Sequence, residues 1–337
     1  MLQPEIEIRP YRPGDEQRIL DTFNLVFRQT NGPAFVDRTM DWWSWQYPGN
    51  PVGHRIMLAV AADGTVASQY AGVPMLADTP FGPQRFVHCC DSMTHPAWRQ
   101  GMPMALFART GARFAAQCLQ LGEALCYGYP VELACRIGQQ YLNYEPLCVV
   151  DYLVRPGAAA PLPAVPGYQV ESVARLPADL DQLWQVVRGE KVCLLRRDRR
   201  YLQWRYLMHP EAAGYEVLLA RHGERLAGVL VLRREVALAP DAMAIVDCLV
   251  AEAEPQALAA LLAAAVRRQH QLPRARLLAV FPRWSVEARC LLQHGFVDTP
   301  SVTWLQRRLV HSSHLPSLTP QFLATSWWYT LGDSDLA

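Results

Sequence analysis

Nothing in this 337-residue chain reads as a zinc knuckle, a disulfide framework, a membrane span or a nucleic-acid footprint. The nine cysteines are an odd number, and no two stand in C-x-x-C spacing, so neither a metal-ligand pattern nor a paired framework is indicated. Most lie inside apolar stretches and read as small buried hydrophobes. Charge is balanced: 32 Lys and Arg against 31 Asp and Glu leave a net charge of +1, with no basic patch suited to a phosphate backbone. The opening residues, MLQPEIEIRPYRPGDE, lack a cationic-then-apolar leader pattern. No apolar run reaches the roughly 18 residues of a spanning helix. The longest alanine-rich run, Ala257 to Val266, is stopped by Arg267 and Arg268. These absences predict a cytoplasmic protein with no metal, no nucleic-acid partner and no membrane span.

What is present is a duplication. The chain is longer than one core usually serves, and a Pro/Ala-rich linker, RPGAAAPLPAVPGY (155–168), falls near its midpoint. On either side the same landmarks recur. RTMDWWSWQYPGNP (38–51) matches RDRRYLQWRYLMHP (197–210), pairing Arg38 with Arg197, Trp45 with Trp204, Tyr47 with Tyr206 and Pro51 with Pro210. IMLAVAADGTVA matches EVLLARHGERLA, and each reads as strand, tight turn, strand, with D-G or H-G at the tip. Asp91 then matches Asp247, Pro130 matches Pro282 and Tyr144 matches Phe296, at shrinking offsets. A collinear series with a period near 150 residues is a duplicated domain that has since lost residues in one copy.

The loss falls on one segment. In the first copy, DSMTHPAWRQGMPMALF (91–107) reads as a strand, a short loop holding Arg99, Gln100 and Gly101, and a helix. Its counterpart, DCLVAEAEPQALAALLAAAV, has no glycine and no basic residue between strand and helix. A helix N-terminus offers unpaired N–H groups and partial positive charge, glycine allows close backbone approach, and arginine adds a fork of donors. The first loop therefore has the parts of an anion site, and the second does not.

The order of elements, with P-A-W-R-Q-G-M after the fourth main strand, resembles the GCN5-related N-acetyltransferase (GNAT) superfamily. Tandem members such as mycothiol synthase, and those of exopolysaccharide gene clusters, are the most similar; the tail SWWYTLGDSDLA fits the latter. The resemblance implies an α/β protein with two GNAT-like domains in tandem, each a mixed, mostly antiparallel central sheet flanked by helices. It sets a GNAT domain at 1–154, the linker at 155–168, a degenerate GNAT-like domain at 169–310 and a tail at 311–337. It also implies acetyl-CoA or another acyl-CoA as co-substrate, held by Met93, Arg99, Gln100, Gly101, Met102, Pro103 and Met104. The acceptor would be a small-molecule or glycan-precursor amine. The tail, with Trp327, Trp328, Tyr329, Asp333 and Asp335, reads as docking on the body, where it would close over the interface between halves or mediate a homodimer.

The departures from the family pattern are specific. Gly101 arrives one residue early, and Pro103 cannot donate, though it suits a first helical position. Asp91, alternating with Cys89 and Met93, is the candidate base, and Tyr141 the candidate acid. The acid position expected from the pattern carries Gln139 instead. His88 and His95 are lesser base candidates. The aromatic run Trp42, Trp43, Trp45 and Tyr47 reads as packing, because Tyr201, Trp204 and Tyr206 repeat it. Three readings follow: an acyl-CoA-dependent N-acyltransferase, a non-catalytic GNAT-fold binding or regulatory protein, and a Fem-like aminoacyltransferase.

Overall fold

The computed structural model describes residues 5–33, 35–99, 103–236, 238–239, 241–272 and 275–336. The first half of the chain forms strands β1 (Ile6–Pro10), β2 (Arg55–Ala61), β3 (Val66–Thr79), β4 (Gly82–Thr94), β5 (Leu125–Gly128), β6 (Glu145–Val149) and β7 (Tyr152–Arg155), and helices α1 (Glu16–Asn31), α2 (Met40–Gln46), α3 (Pro103–Gln120) and α4 (Glu132–Tyr141). The second half forms strands β8 (Tyr168–Val173), β9 (Cys193–Leu195), β10 (Tyr215–His222), β11 (Arg225–Arg233), β12 (Ala242–Val250), β13 (Arg276–Ala279), β14 (Val297–Thr299), β15 (Arg308–Ser313) and β16 (Trp327–Trp328), with helices α5 (Leu180–Glu190), α6 (Arg199–Leu202), α7 (Pro255–His270), α8 (Val286–Gln293) and α9 (Pro320–Ser326).

The compact units do not follow a single cut in the chain. The first comprises 1–76, 84–147 and 309–319, and the second 77–83, 148–308 and 320–337. The predicted linker runs between β7 and β8.

In the first unit the strand order is β1-β2-β3-β4-β5-β15-β6. β4 and β5 pair in parallel, whereas β1–β2, β2–β3 and β5–β15 pair antiparallel. The predicted tight turn joins β2 to β3: Gly64 has φ 85°, and the Asp63 carboxylate accepts from Thr65 N at 2.9 Å. α3 presents an apolar stripe to one face, where Phe114 and Cys118 pack with Met57, Tyr70, Val87, Cys126 and Leu142. α1 and α2 bring Leu20, Phe23, Trp43 and Tyr47 to the other side, toward Asp91. Sheet centre and both helix layers are thus apolar, each large buried side chain contributing about 1.5–3 kcal/mol.

In the second unit the order is β14-β7-β13-β12-β11-β10-β8, with β12 and β13 parallel. Here β7, from the first half of the sequence, lies between β13 and β14, as β15, from the second half, lies between β5 and β6. The H-G turn is present, with Gly223 at φ 58°. α7 is buried along nearly its whole length, so its alanines allow close packing on the sheet.

Because β15 fills an interior place in the first sheet, a charge there should be felt by that whole unit. Val310→Asp, at a 2 % exposed site paired with Gly128, is expected to cost about 3 kcal/mol in urea unfolding.

Candidate active site

The site begins at an irregularity in β4. Its ladder with β5 covers three rungs, Phe86–Leu125, Val87–Cys126 and His88–Tyr127, after which β4 continues to Thr94 beyond its β5 ladder, with β3 on its other side. Asp91, in that overhang, takes φ 55°, a left-handed conformation that Asp tolerates better than most residues. The kink turns its carboxylate toward α2. Oδ2 accepts from Gln46 Nε2 and Tyr47 Oη, each at 2.8 Å, and from Arg38 Nη1, while Gln69 holds the Asp91 carbonyl at 3.0 Å. Burial pushes the Tyr47 hydroxyl up, keeping it a donor. The Arg38 guanidinium lies between the Phe23 and Trp42 rings, 4.2 and 3.9 Å from their centroids. A narrow cavity lined by Leu20, Phe23, Arg38, Trp42, Tyr47 and Asp91 remains beside it.

The second unit rebuilds this network and closes it. Tyr206 Oη donates to Asp247 Oδ2 at 2.8 Å and Arg197 Nε to Oδ1 at 3.3 Å. The tail then enters. Arg197 Nη2 binds Asp333 Oδ1 at 2.6 Å, Thr330 donates to Asp247 at 3.2 Å, and Arg205 Nη2 donates to the Ser334 carbonyl at 2.9 Å. Gly332 is required: a Cβ there would stand 2.3 Å from Tyr206 Oη and 3.2 Å from Asp247 Oδ2. Burial pushes the Asp333 carboxyl up, against the pull of Arg197. Arg197 and Asp333 are fully buried, whereas 22 % of the Arg38 side chain remains exposed.

The predicted co-substrate residues divide into three groups. Gln100, Gly101 and Met102 lie outside the described residues. Pro103 and Met104 open α3, and their side chains are likewise outside the description. Met93 is buried in β4, its carbonyl accepting from Ser68, and Arg99 Nε donates to the Thr94 carbonyl at 2.9 Å. Arg99 is therefore anchored at the end of β4, just ahead of the α3 N-terminus.

The two predicted catalytic residues are not brought together. Asp91 faces α2, while Tyr141 ends α4, which packs on α3, and is about half exposed. His95 caps the short turn Pro96–Trp98, its Nδ1 accepting from Ala97 N, and so has a structural place. Trp43, Trp45 and Tyr47 are buried, as packing residues should be. Sequence reasoning did not single out Arg38, although its match with Arg197 was the signal. It also missed the pairing of Asp333 with Arg197, a lone tail carboxylate having no local pattern to name its partner.

The described residues hold no group of three or more His, Cys, Asp or Glu placed to bind a metal ion, and no helix long and apolar enough to cross a membrane. No family model and no curated protein matches the chain. Among solved structures the fold is that of the GCN5-related N-acetyltransferases. Its two sheets make it the two-domain, tandem form of that fold. A probable N-acyltransferase from Enterococcus faecalis V583 aligns at TM-score 0.68 and 12 % identity, over 92 % of this chain and 73 % of that one. A tandem GNAT protein from the clavulanic acid biosynthesis pathway aligns at 0.55 and 14 %, over 93 % and 99 %. Saccharomyces cerevisiae N-myristoyltransferase, solved with bound myristoyl-CoA, aligns at 0.60 and 8 %, over 93 % and 80 %.

The contrast between the two networks has a measurable consequence. Asp333→Ala would leave Arg197 buried with half its charge partners and is expected to cost about 3 kcal/mol in chemical unfolding. Arg38→Gln, at a partly solvated site, should cost about 1 kcal/mol.

Proposed function

We propose that the first unit is an acyl-CoA-dependent N-acyltransferase site and that the second unit is its non-catalytic partner. One observation carries this reading. Both units have a β strand that outruns its parallel neighbour, but among the described residues the chain's own tail lies against that strand only in the second, at Val246 and Asp247.

The residues of the first unit suit a thioester co-substrate. The overhang of β4 from Cys89 to Thr94 presents backbone that β5 does not engage, suited to the amide groups of a pantetheine arm. Anchored Arg99 and the N-terminus of an 18-residue helix suit its phosphates. Pro103 at the first helical position forfeits little, since the N–H it lacks has no partner within the helix. The thioester supplies an activated acyl carbon; the chain's task is to bind it and bring an amine to it. Acetyl-CoA is the simplest such co-substrate, and a small-molecule amine, including an amine of a glycan precursor, the acceptor class. In this reading Asp91 holds Arg38 and Tyr47 in place, since three side-chain donors converge on one of its oxygens.

A second reading, binding without turnover, is favoured by Gln139 in the expected acid position and by the outward Tyr141. Titration calorimetry with acetyl-CoA, followed by thiol release with amines, separates the two. Arg99→Ala is expected to weaken acetyl-CoA binding about tenfold, one charge-assisted contact of roughly 1.4 kcal/mol, without loss of fold. Unchanged affinity would remove Arg99 from the site.

A further inference from the structure

Strand register sets a row of side chains across the middle of the first sheet. His88 pairs with Tyr127 between β4 and β5, and Tyr127 pairs with His311 between β5 and β15. Paired residues on adjacent strands project to the same face, so the three stand side by side. That face is the one away from α3. The preceding residues Val87 and Cys126 pack with Phe114 and Cys118 of α3, and alternation turns the row the other way. His88 stacks on Tyr127 with centroids 5.2 Å apart, and Tyr129 sets its edge toward both at 6.1 and 6.3 Å. His88–Tyr127 is also the last rung before β4 outruns β5.

The second unit provides an internal control. The Asp91–Asp247 match aligns His88 with Ala244. Ala244 pairs with Leu278, and Leu278 with Val154. The row that reads His–Tyr–His in one sheet reads Ala–Leu–Val in the other. The scaffold evidently needs no polar group there. Yet His311 is 1 % exposed, and neither ring nitrogen has a hydrogen-bond partner among the described residues. A buried imidazole left in that condition weakens the fold, and such groups mark places where function overrides stability.

We propose that His88, Tyr127 and His311 form the wall of a primary-amine site in the first unit and that His311, delivered by β15, is the base that accepts the amine's proton. The proposal rests on the acyl-CoA reading of that unit. In the step, the amine nitrogen forms a bond to the acyl carbon and the carbon–sulfur bond breaks. The proton shed by nitrogen passes to the imidazole and returns from the imidazolium to the sulfur, leaving amide and free thiol. Burial holds the His311 ring below its ordinary value, against the upward pull of Glu145 on β6. His88, Tyr127 and Tyr129 are the other titratable groups of the row. The ring is then neutral, with a lone pair available, at neutral pH.

His311→Val installs the residue type of the second unit's row, and His311→Gln keeps a polar side chain of similar reach. Acetyl-CoA affinity by calorimetry is expected to stay within twofold in both. Thiol release with glucosamine, lysine and spermidine should fall at least 50-fold, mainly in kcat, and the acid limb of the pH–rate profile should disappear. Stability moves the other way: His311→Val should melt at or above the wild-type temperature. Because the folded ring resists a proton that the unfolded ring takes up near 6.5, wild-type stability declines as pH falls from about 7 to 5. The valine variant should decline less. Failure of the wild type to bind acetyl-CoA would sink the underlying reading along with the proposal. Binding without turnover of any of the three amines, or a His311→Val enzyme of wild-type rate, would overturn the proposal and leave the acyl-CoA site standing.

Discussion

The first unit depends on one constraint: β5 must find a partner on its open side, and β15 is the strand that fills that place. A central strand of an α/β sheet cannot leave a row of buried N–H and C=O groups unpaired. Four rungs, from Leu125 with Ser313 to Gly128 with Val310, meet that requirement. The reciprocal arrangement, β7 between β13 and β14, meets it in the second unit. Each sheet is therefore completed by a strand that the other half of the sequence encodes, and each inherits that strand's side chains. The first receives a histidine at the central position, and the second a valine.

The same logic of shared scaffold and divergent filling governs the two matched carboxylates, Asp91 and Asp247. Asp91 and Asp247 are each held by a tyrosine and an arginine from the matched aromatic segment. Asp247 and Arg197 are wholly buried, and an ion pair in that position is tolerable only when its remaining hydrogen-bonding capacity is met. Thr330, Asp333 and Gly332 meet it with a hydroxyl, a second carboxylate and a backbone small enough to fit. At Arg38 the balance differs. Solvent and two aromatic faces do part of that work, and no described tail segment is required.

These particulars show why some of the structure was legible in the amino-acid order and some was not. The hairpin tips at Gly64 and Gly223 have local turn chemistry, and both are present. The duplication pairs Arg38 with Arg197 and Tyr47 with Tyr206 in the amino-acid order itself, because aromatic and charged landmarks survive drift that apolar strands do not. What those pairs held together was not legible, since a bulge that swings Asp91 toward Tyr47 depends on sheet geometry. Strand order was hidden for a related reason. YLVR and RLVHSS are short and similar in character, and nothing local says which sheet either enters. With β15 assigned by default to its own half, His311 had no visible neighbours and drew no attention. Gln100, Gly101 and Met102, the centre of the predicted anion loop, lie outside the described residues, so Arg99 represents that part of the proposed site.

The two copies then differ by a single physical choice at equivalent places. A bulge carboxylate with an arginine beside it can be sealed with complementary chain or left where another molecule can approach, and one polypeptide cannot do both at one site. The second unit is sealed, and sealing removes any need for polar side chains on the neighbouring row; Ala244, Leu278 and Val154 are what a stable sheet would choose. In the first unit no described tail segment lies against Asp91, and the row carries two imidazoles and a phenol in place of alkyl groups. If the polar row were an accident of drift, it would have no reason to coincide with the unit that has Arg99 ahead of a helix N-terminus and no described tail segment against its kinked strand. That these three differences fall together in one copy favours that copy as the site of the proposed chemistry.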